Sequence, residues 1–174
     1  NQRIKLTADR RDYNPGETAQ VFVPNPFPQE TLALLTIERG AILRHEVLRL
    51  PSGGDNLEVP LSSQDAPNIY LSILLLGNTP DGRPDFRAGY LNLPVAPLEQ
   101  TFNVRLTKQP EQTGPRDQVT LEVQTTDSKG APVQAEFSLA LVDKAVLALA
   151  DSNVPGIEEY FYGEQMLGVR TGVA

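Results

Sequence analysis

His45 is the only histidine in the chain, and there is no cysteine. A lone imidazole next to Glu46, in a stretch that reads as a strand, has no second histidine or thiolate to complete a metal site. It also lacks the partners of a Ser-His-Asp set. The absence of cysteine removes thiol catalysis, thiolate ligation and disulfides together. Glu158 and Glu159 are neighbours, and on a helix adjacent side chains diverge by about 100°, so they do not face one substrate as paired acids do. Asp55, Asp81 and Asp85 carry oxygens that suit Ca²⁺, but their spacing matches no dedicated calcium loop and they read as ordinary turn residues. Gly53-Gly54 is a turn, and neither a Gly-x-Ser-x-Gly elbow nor a phosphate-cradling loop occurs. No cofactor and no catalytic residue are therefore expected.

The elements that would position any site are strands. Fifteen prolines and 13 glycines are spread over 174 residues, which means frequent turns and few long helices. With 15 basic and 22 acidic residues the net charge is -7, and no basic stripe tracks a phosphate backbone, so nucleic acid is not an expected partner. No apolar stretch approaches the ~18 residues of a membrane-spanning helix, and any targeting segment is expected upstream of Asn1 or to have been removed.

Ile4–Ala8 and Val21–Val23 alternate as strands around the turn Asp12-Tyr13-Asn14-Pro15-Gly16-Glu17. Pro24, Pro26 and Pro28 deny ladder donors to the next segment. Leu32–Glu38 and Ile42–Leu50 read as a hairpin turning at Arg39-Gly40, followed by strands at Leu57–Leu61, Ile69–Leu76 and Arg87–Val95. The run Ile73-Leu74-Leu75-Leu76 predicts burial on both faces. About seven strands in ~95 residues is the count of a β-sandwich. A linker at Pro94 and Pro97 then predicts a complete domain over 1–97 and a second, partial one over 98–174. Strand, Pro/Gly/acid turn and strand recur at an offset of ~100 residues, with Phe102–Leu106 and Val119–Val123 as the second copy.

Pro132–Leu149 is the oddest stretch. Val133, Ala135, Phe137, Leu139 and Leu141 alternate as one face of a strand, and then Asp143-Lys144 breaks the run with charge where a turn residue is usual. Beyond it, Ile157, Tyr160, Phe161 and Met166 could line one side of a short helix or coil. By the count of the first domain, the second lacks several strands.

The turn Tyr13-Asn14-Pro15-Gly16-Glu17, the stretch Asp127–Glu136, the run Ser138–Leu147 with its Val-Asp-Lys-Ala-Val-Leu ending, and Tyr160-Phe161-Tyr162-Gly163 followed by Leu167–Thr171 together resemble bacterial members of the α2-macroglobulin family. The resemblance implies an all-β fold of two tandem macroglobulin-like antiparallel sandwiches, Ig- or fibronectin-like, the second incomplete. It implies a protease inhibitor in which one such domain is interrupted by a bait region, a flexible segment offered to proteases. The chain would end at the start of that bait, which would explain the missing strands. No Cys-x-x-Gln thioester motif is present.

On that resemblance, Leu167, Val169, Arg170 and Thr171 are the candidate cleavage residues, with Arg170-Thr171 suited to a trypsin-like protease; a merely solvated Arg170 is the competing reading. Asp143 and Lys144 are candidates for a hinge pair, or else an exposed ion pair worth about 0–1 kcal/mol. The implied partners are target endopeptidases and the other macroglobulin-like domains of the same parent chain. The implied location is periplasmic or extracellular, with any membrane anchor carried by a segment outside these residues. The alternative is a structural or adhesive tandem Ig-like module of a bacterial cell-surface protein. An accessory sandwich of a carbohydrate enzyme would need an aromatic platform, and 6 Phe, 5 Tyr and no Trp supply it poorly.

Overall fold

In the computed structural model, the described residues are 2–108, 110, 113–114, 116–140, 142, 146 and 156–169. The chain divides into two compact units, Asn1–Pro97 with Tyr162–Ala174, and Leu98–Phe161. Residues 162–169, which the sequence reading counts within 98–174, fall in the first of these units.

The first unit carries seven strands: β1 (Thr7–Ala8), β2 (Thr18–Val23), β3 (Thr31–Arg39), β4 (Ala41–Leu50), β5 (Asp55–Pro60), β6 (Asn68–Asn78) and β7 (Pro84–Pro94). They form two antiparallel sheets, ordered β1-β2-β5 and β4-β3-β6-β7. Alternation explains the sandwich. Ala19, Val21 and Val23 of β2 and Val59 of β5 meet Ala33 and Ile37 of β3, Ile69, Leu71, Ile73 and Leu75 of β6, and Leu93 of β7 in one buried core. Residues between them point out of the core.

Local chemistry sets the connections. In the proline-rich crossover, Asn25 replaces the missing ladder: its Nδ2 donates to the carbonyls of Gln29, Leu50 and Pro51, and its Oδ1 accepts from the Phe27 N–H. Gly54, at φ +107°, lies so near the Val23 carbonyl that a Cβ would come within 2.2 Å of it. Between the hairpin strands β3 and β4, a bulge at Ile37/Glu38 shifts the register. Upstream of β1, Ile4 N–H donates to Ala88 O and Ala88 N–H to Gln2 O, so the N-terminal segment covers the free edge of β7 before crossing to the other sheet.

The second unit carries β8 (Asn103–Lys108) and β9 (Glu122–Thr126), paired antiparallel as β1 and β2 are. β9 begins three residues later than the predicted Val119 start. The strand predicted over Val133–Leu141 does not form among the described residues: after the Thr126–Pro132 bridge and the bond from Val133 N–H to Thr125 O, the described chain makes no further ladder. Phe137 and Leu139 are exposed there, because an alternating stretch becomes a strand only beside an edge that can pair with it. Ile157–Tyr162 is a short helix. Among the described residues no helix is long and apolar enough to cross a membrane.

Candidate functional site

The residues of the β4-β3-β6-β7 sheet that avoid the core make a second face. Registers across β3, β6 and β7 align Leu34, Leu74 and Ala88, then Thr36, Ser72 and Tyr90, then Glu38, Tyr70 and Asn92. A face this polar would ordinarily be wet. Instead Glu38 is 1% exposed, Thr36 5% and Tyr70 9%. Beside them lie Glu164, Leu167 and Val169 of the same unit, together with the N-terminal residues Arg3–Leu6.

Asn68, the first residue of β6, is buried. A buried primary amide has to satisfy its donors and its acceptor. Asn68 Nδ2 donates to the Gln165 carbonyl (3.0 Å) and to Asn92 Oδ1 (2.9 Å), and Asn68 Oδ1 accepts from the Gln165 N–H (2.8 Å). The amide therefore pairs with both main-chain groups of Gln165, as a neighbouring strand would, without reading its side chain. Glu164 Oε1 accepts from Asn92 Nδ2 (2.7 Å) and from the Tyr70 hydroxyl (3.3 Å). Burial, and then the negative charge of Glu164, raise the Tyr70 phenol pKa above its ordinary value, which keeps it a donor. The Tyr70 ring meets Tyr90 edge-on, with centroids 6.4 Å apart.

Further along, Gly168 adopts φ +49° and backs onto Gly40, the turn residue of the β3–β4 hairpin. A Cβ on Gly168 would lie 2.8 Å from the Gly40 Cα, so the contact exists because neither residue has a side chain. The Leu167 carbonyl accepts from the Val169 N–H in a tight turn around Gly168. Leu167 and Val169 are half-buried and line a groove of about 890 Å³ with Leu34, Leu74 and Tyr90. Glu38 lines the same groove and accepts a hydrogen bond from the Thr36 hydroxyl. Met166 is 85% exposed.

Two of the residues singled out in the sequence, Leu167 and Val169, thus come together on this face. Arg170, Thr171, Asp143 and Lys144 lie outside the described residues. His45 is exposed on β4, opposite Thr36. Asp81 pairs with Arg83 (2.9 Å), Asp85 with Arg87 (2.5 Å), and Asp55 accepts from the Asn56 N–H (2.8 Å). Among the described residues no cluster of three acids or histidines could hold a metal. Asn68, Tyr70, Asn92, Glu164 and Gln165 had no signature in the sequence, since polar residues at alternate strand positions read as a solvated face.

Comparison with known proteins agrees with the geometry. Residues 4–149 match the alpha-2-macroglobulin bait region domain. The alpha-2-macroglobulin of Ralstonia nicotianae is 27% identical over 180 residues, covering 97% of this chain and 11% of that protein. The Escherichia coli alpha-2-macroglobulin is 23% identical over 171 residues, covering 95% of this chain and 10% of that protein. The chain therefore spans about a tenth of the length of these relatives. In fold it is similar to E. coli alpha-2-macroglobulin in its native conformation (TM-score 0.54, 20% identity, 97% of this chain and 11% of that one). It is also similar to Salmonella alpha-2-macroglobulin reacted with methylamine (TM-score 0.51, 20% identity, 96% and 11%). With the match spanning most of both sandwich units, the chain belongs to the alpha-2-macroglobulin bait region domain family.

Proposed function

We propose that this chain is the scaffold next to the bait of a broad-spectrum protease trap, and that it has no catalysis of its own. The observation that carries the reading is the Glu164–Val169 segment, a strap pinned to a sandwich face through the main chain of Gln165, immediately before Arg170-Thr171 in sequence. A protease needs an extended peptide, which packed strands do not supply. In the parent, target endopeptidases would engage the bait, and cleavage would release a constraint between macroglobulin-like domains that then enclose the protease. Asp143-Lys144 would lie on the approach to the bait as a hinge pair.

The second unit supports the same reading. Its described strands pair only with each other, and Phe102, Val104, Leu106, Phe137 and Leu139 are exposed, a sandwich face without its second sheet. Strands that follow the bait in the parent would cover it. The reading carries with it a periplasmic or extracellular location.

The test is limited digestion of the chain with trypsin, elastase and chymotrypsin, with cut sites mapped by mass spectrometry. Unrelated proteases should converge on the bonds that follow Val169 and leave residues 2–97 intact. A chain resistant throughout would instead be an adhesive module, and cuts elsewhere beside an intact Arg170-Thr171 bond would remove Arg170 from the candidate cleavage sites.

A further inference from the structure

We infer that Asn68, Tyr70 and Asn92 form a clamp that fixes the upstream limit of the cleavable stretch, withholding the bonds from Glu164 to Val169 from proteases and leaving only those beyond Val169 open to attack. The inference rests on the reading of this tail as the approach to a bait, and it narrows that reading to a boundary.

A protease binds several residues on each side of the bond it cuts, in extended form and with main-chain pairing of its own. Main-chain groups already paired to the substrate's own fold must first be released. Here Gln165 has both of its main-chain groups on the Asn68 amide, at 2.8 and 3.0 Å. Glu164 has its carboxylate on Asn92 and Tyr70, at 2.7 and 3.3 Å. Leu167 has its carbonyl turned to the Val169 N–H and its side chain in the groove. Gly168 is pressed against Gly40. Met166 presents its side chain to solvent.

The side chains advertise the opposite of what the geometry permits. Met166 and Leu167 are residues that chymotrypsin accepts, so by type alone these bonds should be open to it. The segment is nonetheless curled around Gly168 and paired on its inner side. Because the Asn68 amide grips main chain, the clamp needs no particular residue at 165 and serves to fix position.

Two substitutions on the strap itself test this without touching the core. Glu164→Ala removes the carboxylate from Tyr70 and Asn92. Gly168→Val puts a side chain where Gly40 stands and disfavours the positive φ. Under limiting chymotrypsin, the bonds after Met166 and Leu167 should be cut roughly ten-fold or more faster in both variants than in the unaltered chain. The Gln165 amide should exchange its hydrogen faster to match. Asn68→Ala should do the same, with the circular dichroism of each variant showing the sandwich intact. Equal cutting of these two bonds in the unaltered chain and in the strap variants overturns the clamp, whether both are fast or both negligible. Faster exchange of Gln165 without faster cutting overturns it too. Failure of the bait reading shows at other bonds: no cut beyond Val169 by any protease.

Discussion

Tyr13 ties the first long turn of the chain together with one hydroxyl. It is buried, its O–H donates to Asp9 Oδ1 (2.6 Å), and it accepts from the Arg10 N–H (3.2 Å). The Tyr13 hydroxyl, and after it the Gln20 N–H, hold Asp9 below the usual carboxylate range. The Asn14 N–H, and after it Arg10, do the same for Glu17. Arg87 and the Phe86 N–H act likewise on Asp85. Carboxylates with depressed folded pKa values add stability above their unfolded values, 3.8 for Asp and 4.5 for Glu, and that stability is lost as pH falls through the folded ones. Tyr13 has the opposite sign. Burial, and then its bond to Asp9, push it from 10.0 up to about 12, so its contribution is complete below 10 and is lost as pH climbs toward 12. Urea unfolding followed by circular dichroism should show a midpoint that is flat between about pH 5 and pH 9 and falls on both sides. Tyr13→Phe should cost roughly 1–2 kcal/mol at neutral pH and blunt the alkaline fall. An alkaline limb unchanged in that variant would remove Tyr13 as its cause.

At the scale of the element, β6 shows how far alternation can be read. Ile73-Leu74-Leu75-Leu76 predicts a strand buried on both faces, and the strand is there, but Leu75 is 0% exposed while Leu76 is 54% exposed. The inner face is covered by the second sheet. The outer face is buried around Glu38, Thr36 and Tyr70, where Arg3–Leu6, Leu167 and Val169 line one groove and Glu164 meets Tyr70, while Leu32 and Leu76 remain open. Leu75→Ala should therefore cost about 2–5 kcal/mol and Leu76→Ala no more than about 0.5 kcal/mol, measured by the same urea series. Comparable losses at the two positions would mean that the outer face is buried along its whole length. The strands were legible because period two and the turns at Gly40 and Gly82 are local properties of the chain. The cover on Tyr70 was not, because it comes from Glu164, 94 residues on, and nothing local tells a solvated polar face from one that is occupied.

For the whole molecule, the prolines and the end of the apolar pattern mark a break at Pro97, whereas nothing in the sequence marks the grouping of residues 162–169 with the first unit. Four hydrogen bonds join the side chains of Asn68, Tyr70 and Asn92 to the main chain or carboxylate of the strap, and such pairs leave no periodicity to read. The repeat at an offset of ~100 residues has its counterpart in the structure, where β8 and β9 pair antiparallel as β1 and β2 do. The two units should nonetheless differ in stability. In the first, β3 and β6 are flanked on both edges by partners and share a closed core. In the second, β8 and β9 form a two-stranded sheet, with Val104 and Leu106 exposed. A pair of strands without a third, or without a packed face, is marginal in water. Hydrogen exchange followed by mass spectrometry should find the amides of β3 and β6 opening only with the first unit as a whole, and those of β8 and β9 exchanging on the order of a hundred-fold or more faster. Equal protection in the two sets would mean that the β8–β9 pair has found a cover within the chain itself, and the proposal that its missing sheet follows the bait would have to be abandoned.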